Sequence, residues 1–193
     1  MKILNTPVSA EEIRGLNVGD EVEICGVIVT GRDAAHKYLV ENDDKKLKEI
    51  LNGTFIYHCG PVVVYENGQY VFKVAGPTTS IREEPYQAEV IRKYNLRGVI
   101  GKGGMGKNTL EAMKDCGAVY LHVVGGAAVY IGQRIKKVLD VYKLEEFGVP
   151  EAMWVLQVEQ FPAVVTMDSK GRSLHEEVYN SSMENYKRLL GKK

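Results

Sequence analysis

Apolar residues spaced two or four apart open the pattern of this chain. In "DEVEICGVIVTG", Val22, Ile24 and Ile28 share one face, the period of a strand with one buried side, and Gly31 ends the run. Helical spacing follows at once. In "RDAAHKYLVEN" the apolar positions Ala34, Ala35, Tyr38 and Leu39 predict a helix, and Asp33 stands where an acidic group complements the helix dipole. Further on, "TFIYHCGPVVVYENGQYVFKVAGPTTS" reads as strands around Asn67-Gly68, a dipeptide suited to the positive φ angles of a tight hairpin. Short apolar runs in "RGVIG" and "GAVYLHVVGG" predict buried strands, each followed by glycines and then a helix.

The second half is read in the same way. "AAVYIGQRIKKVLDVY" keeps Ile131, Ile135, Val138 and Tyr142 on one face and predicts a single helix. "AMWVLQVEQFPAVVTM" predicts two strands flanking Pro162, and "DSKG" a turn. An amphipathic helix is expected from about Leu174, weakened by "NSSM". Strand, glycine and helix recur without a linker, so an α/β fold with a substantially β core and packed helices is expected, as one domain spanning residues 1–193.

Composition changes this picture mainly by exclusion. The chain balances 25 basic against 25 acidic residues, which gives no general attraction to nucleic acid or to a membrane surface. No apolar run is long enough to span a bilayer, and "MKILNTPVSAEEIRGL" lacks the apolar stretch of a signal peptide, so a cytoplasmic location is expected. Cys25, Cys59 and Cys116 are widely spaced with no C-x-x-C pair, which argues against a disulfide framework or a local zinc site. Reduced thiols, mostly buried, are expected.

Candidate chemistry concentrates where strands meet helices. "GVIGKGGMGKNTL" matches the spacing of a phosphate loop through Gly101, Gly106 and Lys107, but Asn108 stands where a Ser or Thr would hold Mg²⁺. Asn108 with Glu111 three residues on resembles a helix cap, and Asp140, in a basic helical pattern, is a poor second metal ligand. A nucleotide site is therefore disfavoured. An anion site remains, in which the amides of the helix N-terminus and Lys102 receive a carboxylate or phosphate. Arg32 ends one strand, and Thr78, Thr79 and Arg82 follow another. Arg32, Arg82 and Lys102 thus become candidates to converge on a small dianionic acid.

"TGRDAAHK", "YHCGP", "AGPTTSIR", "GKGGM" and "GGAA", in this order from Thr30 to Ala128, resemble the β subunit, or C-terminal domain, of class I fumarate hydratases and L-tartrate dehydratases. The resemblance implies a swivelling β/β/α domain with a mixed β core. It implies reversible addition of water to a dicarboxylate double bond, with a [4Fe-4S] cluster carried by a partner α subunit in a heterotetramer. Arg32, Arg82 and Lys102 would grip the substrate carboxylates, and Thr78 would take the proton from the carbon beside the hydroxyl. Such a threonine needs an activating neighbour. His36 and His58 fall inside matching motifs and are read as junction residues that orient loops. Glu83 and Glu84 replace the methionine the family commonly carries after Arg82, placing charge near an anionic substrate and leaving open whether it is fumarate or tartrate. A swivelling assembly module without catalytic residues, and a nucleotide-binding enzyme, are the alternatives.

Overall fold

The computed structural model describes residues 1–191; Lys192 and Lys193, at the end of the expected domain, lie outside the described residues. The strands are β1 (Lys2–Asn5), β2 (Glu21–Thr30), β3 (Phe55–Tyr57), β4 (Val62–Glu66), β5 (Gln69–Val74), β6 (Gly98–Gly101), β7 (Val119–His122), β8 (Ile135–Tyr142) and β9 (Met153–Met167). The helices are α1 (Ala10–Arg14), α2 (Asp33–Glu41), α3 (Lys45–Leu51), α4 (Glu84–Tyr94), α5 (Lys107–Cys116), α6 (Ala128–Gly132), α7 (Leu144–Phe147) and α8 (Leu174–Leu189). A 3-10 turn, Ser80–Glu83, leads directly into α4.

Seven strands form one mixed sheet in the order β1-β2-β3-β6-β7-β9-β8, and an added β2–β9 pairing closes a ring through β2, β3, β6, β7 and β9. β2, β3, β6 and β7 are parallel, and β9 runs against both β2 and β7. Alternation along the short strands explains the layering. Phe55 and Tyr57 enter one core cluster with Ile28, Ile100, Leu121, Trp154 and Phe161, while Ile56 faces the other with Val29, Val99 and Tyr120. Helices α2, α3, α4 and α5 cover that second face through Leu39, Leu47, Val90 and Met113. Because both faces are buried, these strands read as continuous apolar runs rather than alternating ones.

The expected β2–α2 junction, the β4–β5 hairpin with Asn67 and Gly68 in the left-handed region, strands β6 and β7, and helix α8 are all present. Two expectations fail. The single helix expected over 127–142 is instead the short α6 followed by β8. β8 pairs with β9 through two register shifts, and each shift adds a residue to the strand. Its core-facing Ile135, Val138 and Val141 therefore fall three apart, which imitates a helical stripe. The two strands expected around Pro162 are one, β9. Pro162 lies between the stretch that pairs with β8 and the stretch that pairs with β7, opposite only Glu23 of β2, so one edge of the strand is free to accept a residue without an N–H.

Register brings the functional edge together. Thr30, Tyr57, Ile100 and Leu121 stand side by side, so the segments that follow β2, β3, β6 and β7 emerge at one edge of the parallel strands. In open α/β sheets this is the edge at which ligands bind.

Candidate active site

Thr78 is fixed by its backbone. The segment after β5 crosses the ends of β3 and β6: the Thr78 N–H donates to the His58 carbonyl (2.7 Å) and the Ser80 N–H to the Lys102 carbonyl (3.1 Å). Isolated bridges Cys59–Pro77 and Thr79–Lys102 extend this stitch on either side. Its close approach depends on Gly101, because a Cβ there would strike the Ser80 hydroxyl, which is itself bonded to the Tyr120 hydroxyl at 2.8 Å. Thr78 thus sits half-buried between the strand ends that carry His58 and Lys102.

Arg32 follows β2 and lies against the neighbouring strand end, where a Cβ on Gly60 would come within 2.7 Å of its Nη1. Its guanidinium pairs with Glu151 Oε1 at 3.1 Å, and Glu151 Oε2 accepts the Ala34 N–H at 3.1 Å. One carboxylate therefore anchors the arginine and caps α2, whose N-cap residue Arg32 offers no side-chain cap. The Thr30 hydroxyl, bonded to the Ala152 carbonyl and the Trp154 N–H, ties this strand end to the start of β9. Arg82 is exposed on the 3-10 turn, and its charge reaches Asp33. The structure accordingly brings Thr78, Lys102 and Arg32 to adjacent strand ends and places Arg82 on the turn that continues the Thr78 segment.

The two glutamates after Arg82 behave differently from the sequence expectation. Glu84 turns onto the start of α5: its Oε2 accepts from the Gly106 N–H (2.7 Å) and the Thr109 hydroxyl (2.6 Å), and its Oε1 from the N–H groups of Asn108 (3.0 Å) and Thr109 (3.3 Å). The anion position expected at this helix N-terminus is occupied by the protein's own carboxylate, which also takes the amides that a nucleotide phosphate would use. Asn108 is not the cap. Gly106 holds that position, and Glu111 pairs with Lys114 instead.

Glu83 is only 2% exposed, and burial followed by the hydrogen bond and charge of Asp33 pushes its carboxyl up to about 9. Asp33 is held below the usual carboxylate range by that same hydrogen bond, aided by Arg32 and Arg82. The pair thus holds one proton, on Glu83, and neither glutamate adds a second free charge beside the cations.

Behind these groups lies a buried cluster that sequence spacing did not reveal. His36 of α2, His58 after β3 and Gln87 of α4 are all fully buried, with one atom of the Gln87 carboxamide 2.8 Å from both His36 Nε2 and His58 Nε2. His36 Nδ1 lies 2.9 Å from the Arg32 carbonyl and 3.5 Å from Glu83 Oε2. Burial pushes both imidazoles down, His58 well below the usual range with a further contribution from His36, so both are neutral at neutral pH. Their only sequence signal was that each fell inside a motif beside a strand end.

The family described as "Fumarase C-terminus" matches residues 2–178. This chain belongs to the fumarase C-terminus family. It is 56% identical over 182 residues to the Geobacillus stearothermophilus protein named "Putative fumarate hydratase class I", an alignment covering 94% of this chain and 35% of that one. It therefore spans about a third of that relative's length. Over 187 residues it is 40% identical to the Methanocaldococcus jannaschii protein named "Putative L(+)-tartrate dehydratase subunit beta", covering 95% of this chain and 96% of the other. It is also 36% identical over 174 residues to the L(+)-tartrate dehydratase subunit beta of Escherichia coli K12, covering 90% and 86%. Within the family frame, no helix among the described residues is long and apolar enough to cross a membrane.

Two outcomes check the electrostatics. Glu84→Ala should cost about 2 kcal/mol, since it removes an ionised acceptor from helix-end amides; a denaturant titration showing less than about 0.5 kcal/mol would contradict the cap. Glu83 binds its proton more tightly in the folded chain than a free carboxyl of ordinary value 4.5, so its contribution is full below that pH and is lost as pH rises toward about 9. The imidazoles of His36, His58, His122 and His175, all pushed down by burial, act in the opposite direction below their ordinary value of 6.5, so the melting temperature should decline between about pH 7 and 9, and Glu83→Gln should flatten that decline. Asp33 acts in the opposite direction and only in acid, where its lowered carboxyl becomes protonated. An unchanged slope in Glu83→Gln would contradict the shared proton.

Proposed function

We propose that this chain is the β-subunit half of a hydro-lyase that adds water reversibly to a dicarboxylate double bond, converting fumarate to L-malate or dehydrating L-tartrate. The observation that carries the reading is the stitch that seats Thr78 between the His58 and Lys102 strand ends, beside the end that bears Arg32. Two relatives named as tartrate dehydratase β subunits, matched over most of their length, support an α subunit as partner.

In this reading Arg32 and Arg82 grip the substrate carboxylates with their paired N–H donors, and Lys102 adds a point charge. Thr78 removes the proton from the carbon beside the hydroxyl. Its hydroxyl is a weak base in water, and in this reading the cations at the neighbouring strand ends favour its deprotonated form. Glu84, turned away onto α5, and Glu83, which keeps its proton, leave that cationic character intact.

The residues of this chain do not fit a resident [4Fe-4S] cluster. Cys25 lies in β2, Cys116 ends α5, and burial pushes the Cys59 thiol up to about 12, far from the thiolate such a cluster needs. Among the described residues, no three His, Cys, Asp or Glu side chains are grouped to hold a metal ion. In this reading the cluster belongs to the α subunit, where it would supply the Lewis acid.

The test uses the chain assembled anaerobically with a cluster-bearing α subunit. Arg32→Ala, Arg82→Ala and Lys102→Ala should each lower kcat/KM by roughly 30-fold to nearly 1000-fold, the equivalent of about 2 to 4 kcal/mol. Lys107→Ala is the control and should be mild. Thr78→Ala should leave KM nearly unchanged and lower kcat roughly 100-fold to 10,000-fold, with exchange of the substrate's C3 hydrogen into deuterated water falling in parallel. Normal exchange in Thr78→Ala would move the base to the α subunit and reduce this chain to carboxylate recognition. Turnover or stoichiometric cluster iron in the chain alone would overturn the division of labour.

A further inference from the structure

The Gln87 carboxamide meets two imidazoles with a single atom, and hydrogen-bond accounting decides which atom that is. The Arg32 carbonyl, 2.9 Å from His36 Nδ1, can only accept, so His36 Nδ1 carries a hydrogen. A neutral imidazole has only one such hydrogen, which leaves His36 Nε2 as a lone pair. The amide atom 2.8 Å away, placed as Oε1, must then be the NH₂ of Gln87; turning the carboxamide over puts its oxygen in the buried position that has no partner, an orientation set by the network rather than by the shape of the side chain. The second hydrogen of the same NH₂ points to His58 Nε2, also 2.8 Å away. His58, fully buried and neutral, therefore carries its own hydrogen on Nδ1, an atom with no partner among the described residues.

The consequence is mechanical. His36 grips the carbonyl of Arg32, and the carbonyl of His58 holds the N–H of Thr78. Gln87, from a third element, lies within hydrogen-bond distance of both histidines. We propose that Gln87 is a positioning residue: its NH₂ locks His36 and His58 as Nδ1–H tautomers and so holds the Arg32 and Thr78 strand ends in fixed relation. The functional part rests on the hydro-lyase reading; the tautomer lock stands without it. The competing arrangement is a His36 cation facing an ionised Glu83, with Asp33 beside it and the Gln87 oxygen accepting from both rings.

The lock is tested in the full-length chain labelled with ¹⁵N-histidine, which has only four histidines to resolve. Two of them, assigned by His36→Gln and His58→Gln, should show protonated Nδ1 and unprotonated Nε2 shifts that stay constant between about pH 7 and 8. Protonated Nε2 on either ring, or a doubly protonated His36, would overturn the proposal. Gln87→Glu supplies an acceptor of the same shape but no hydrogens; it should convert both rings to Nε2–H, with His36 doubly protonated. In the assembled enzyme Gln87→Glu should lower kcat/KM roughly 10- to 100-fold, as expected when reacting groups shift by a fraction of an ångström to an ångström. Wild-type kcat/KM in a Gln87→Glu protein whose tautomers have changed would overturn the positioning role. Absent turnover in the wild-type assembly would instead overturn the hydro-lyase reading, while the nitrogen shifts still decide the lock.

Discussion

Two backbone hydrogen bonds, from Thr78 to the His58 carbonyl and from Ser80 to the Lys102 carbonyl, determine where the remaining groups of this site stand. A parallel ladder stops at the ends of β3 and β6 and leaves carbonyls that need donors. The 77–80 segment supplies them by lying across both ends. Once it is held there, the chain enters the 3-10 turn and α4 in a fixed direction, which buries Glu83 and Gln87 behind the strand ends and swings Glu84 onto α5. A threonine, a lysine and two structural carboxylates are thus placed by one crossing.

The charges around this crossing are arranged so that the cations remain available. Arg32 is oriented by Glu151, while among the described residues no carboxylate lies within ion-pairing distance of Arg82 or Lys102. Two consecutive ionised glutamates after Arg82 would set negative charge beside these cations. The helix N-terminus absorbs one of them, and desolvation keeps the other protonated. The proton that keeps Glu83 uncharged beside these cations also makes the fold sensitive to alkaline pH.

Much of this architecture was legible in local pattern. Val22, Ile24 and Ile28 marked β2, the glycines after "RGVI" and "AVYLH" marked strand ends, and Asn67-Gly68 marked its hairpin, because each depends on neighbours in sequence. What failed was decided at long range. Bulges gave β8 a three-residue period, and Pro162 was tolerated because β9 has an open edge at that point. Asn108 offered a plausible local cap, yet Glu84 reached the same amides from another helix. His36, His58 and Gln87 come from α2, the end of β3 and α4, so no spacing along the chain could announce their contact. Where the candidate cations and Thr78 would lie was readable only through the ordered motifs and the strand-end rule.

The central claim is that this chain preassembles the Thr78 edge through its own backbone before any partner or substrate arrives. Amide hydrogen exchange of the chain alone, read at Thr78 and Ser80, tests it most directly. Both amides should be protected to the level of the β3 and β6 strands, far above the exposed Val124–Gly126 loop at the same edge of the sheet. Exchange at Thr78 and Ser80 as fast as in that loop would contradict the account, and would mean that the crossing is not held by this chain's own backbone.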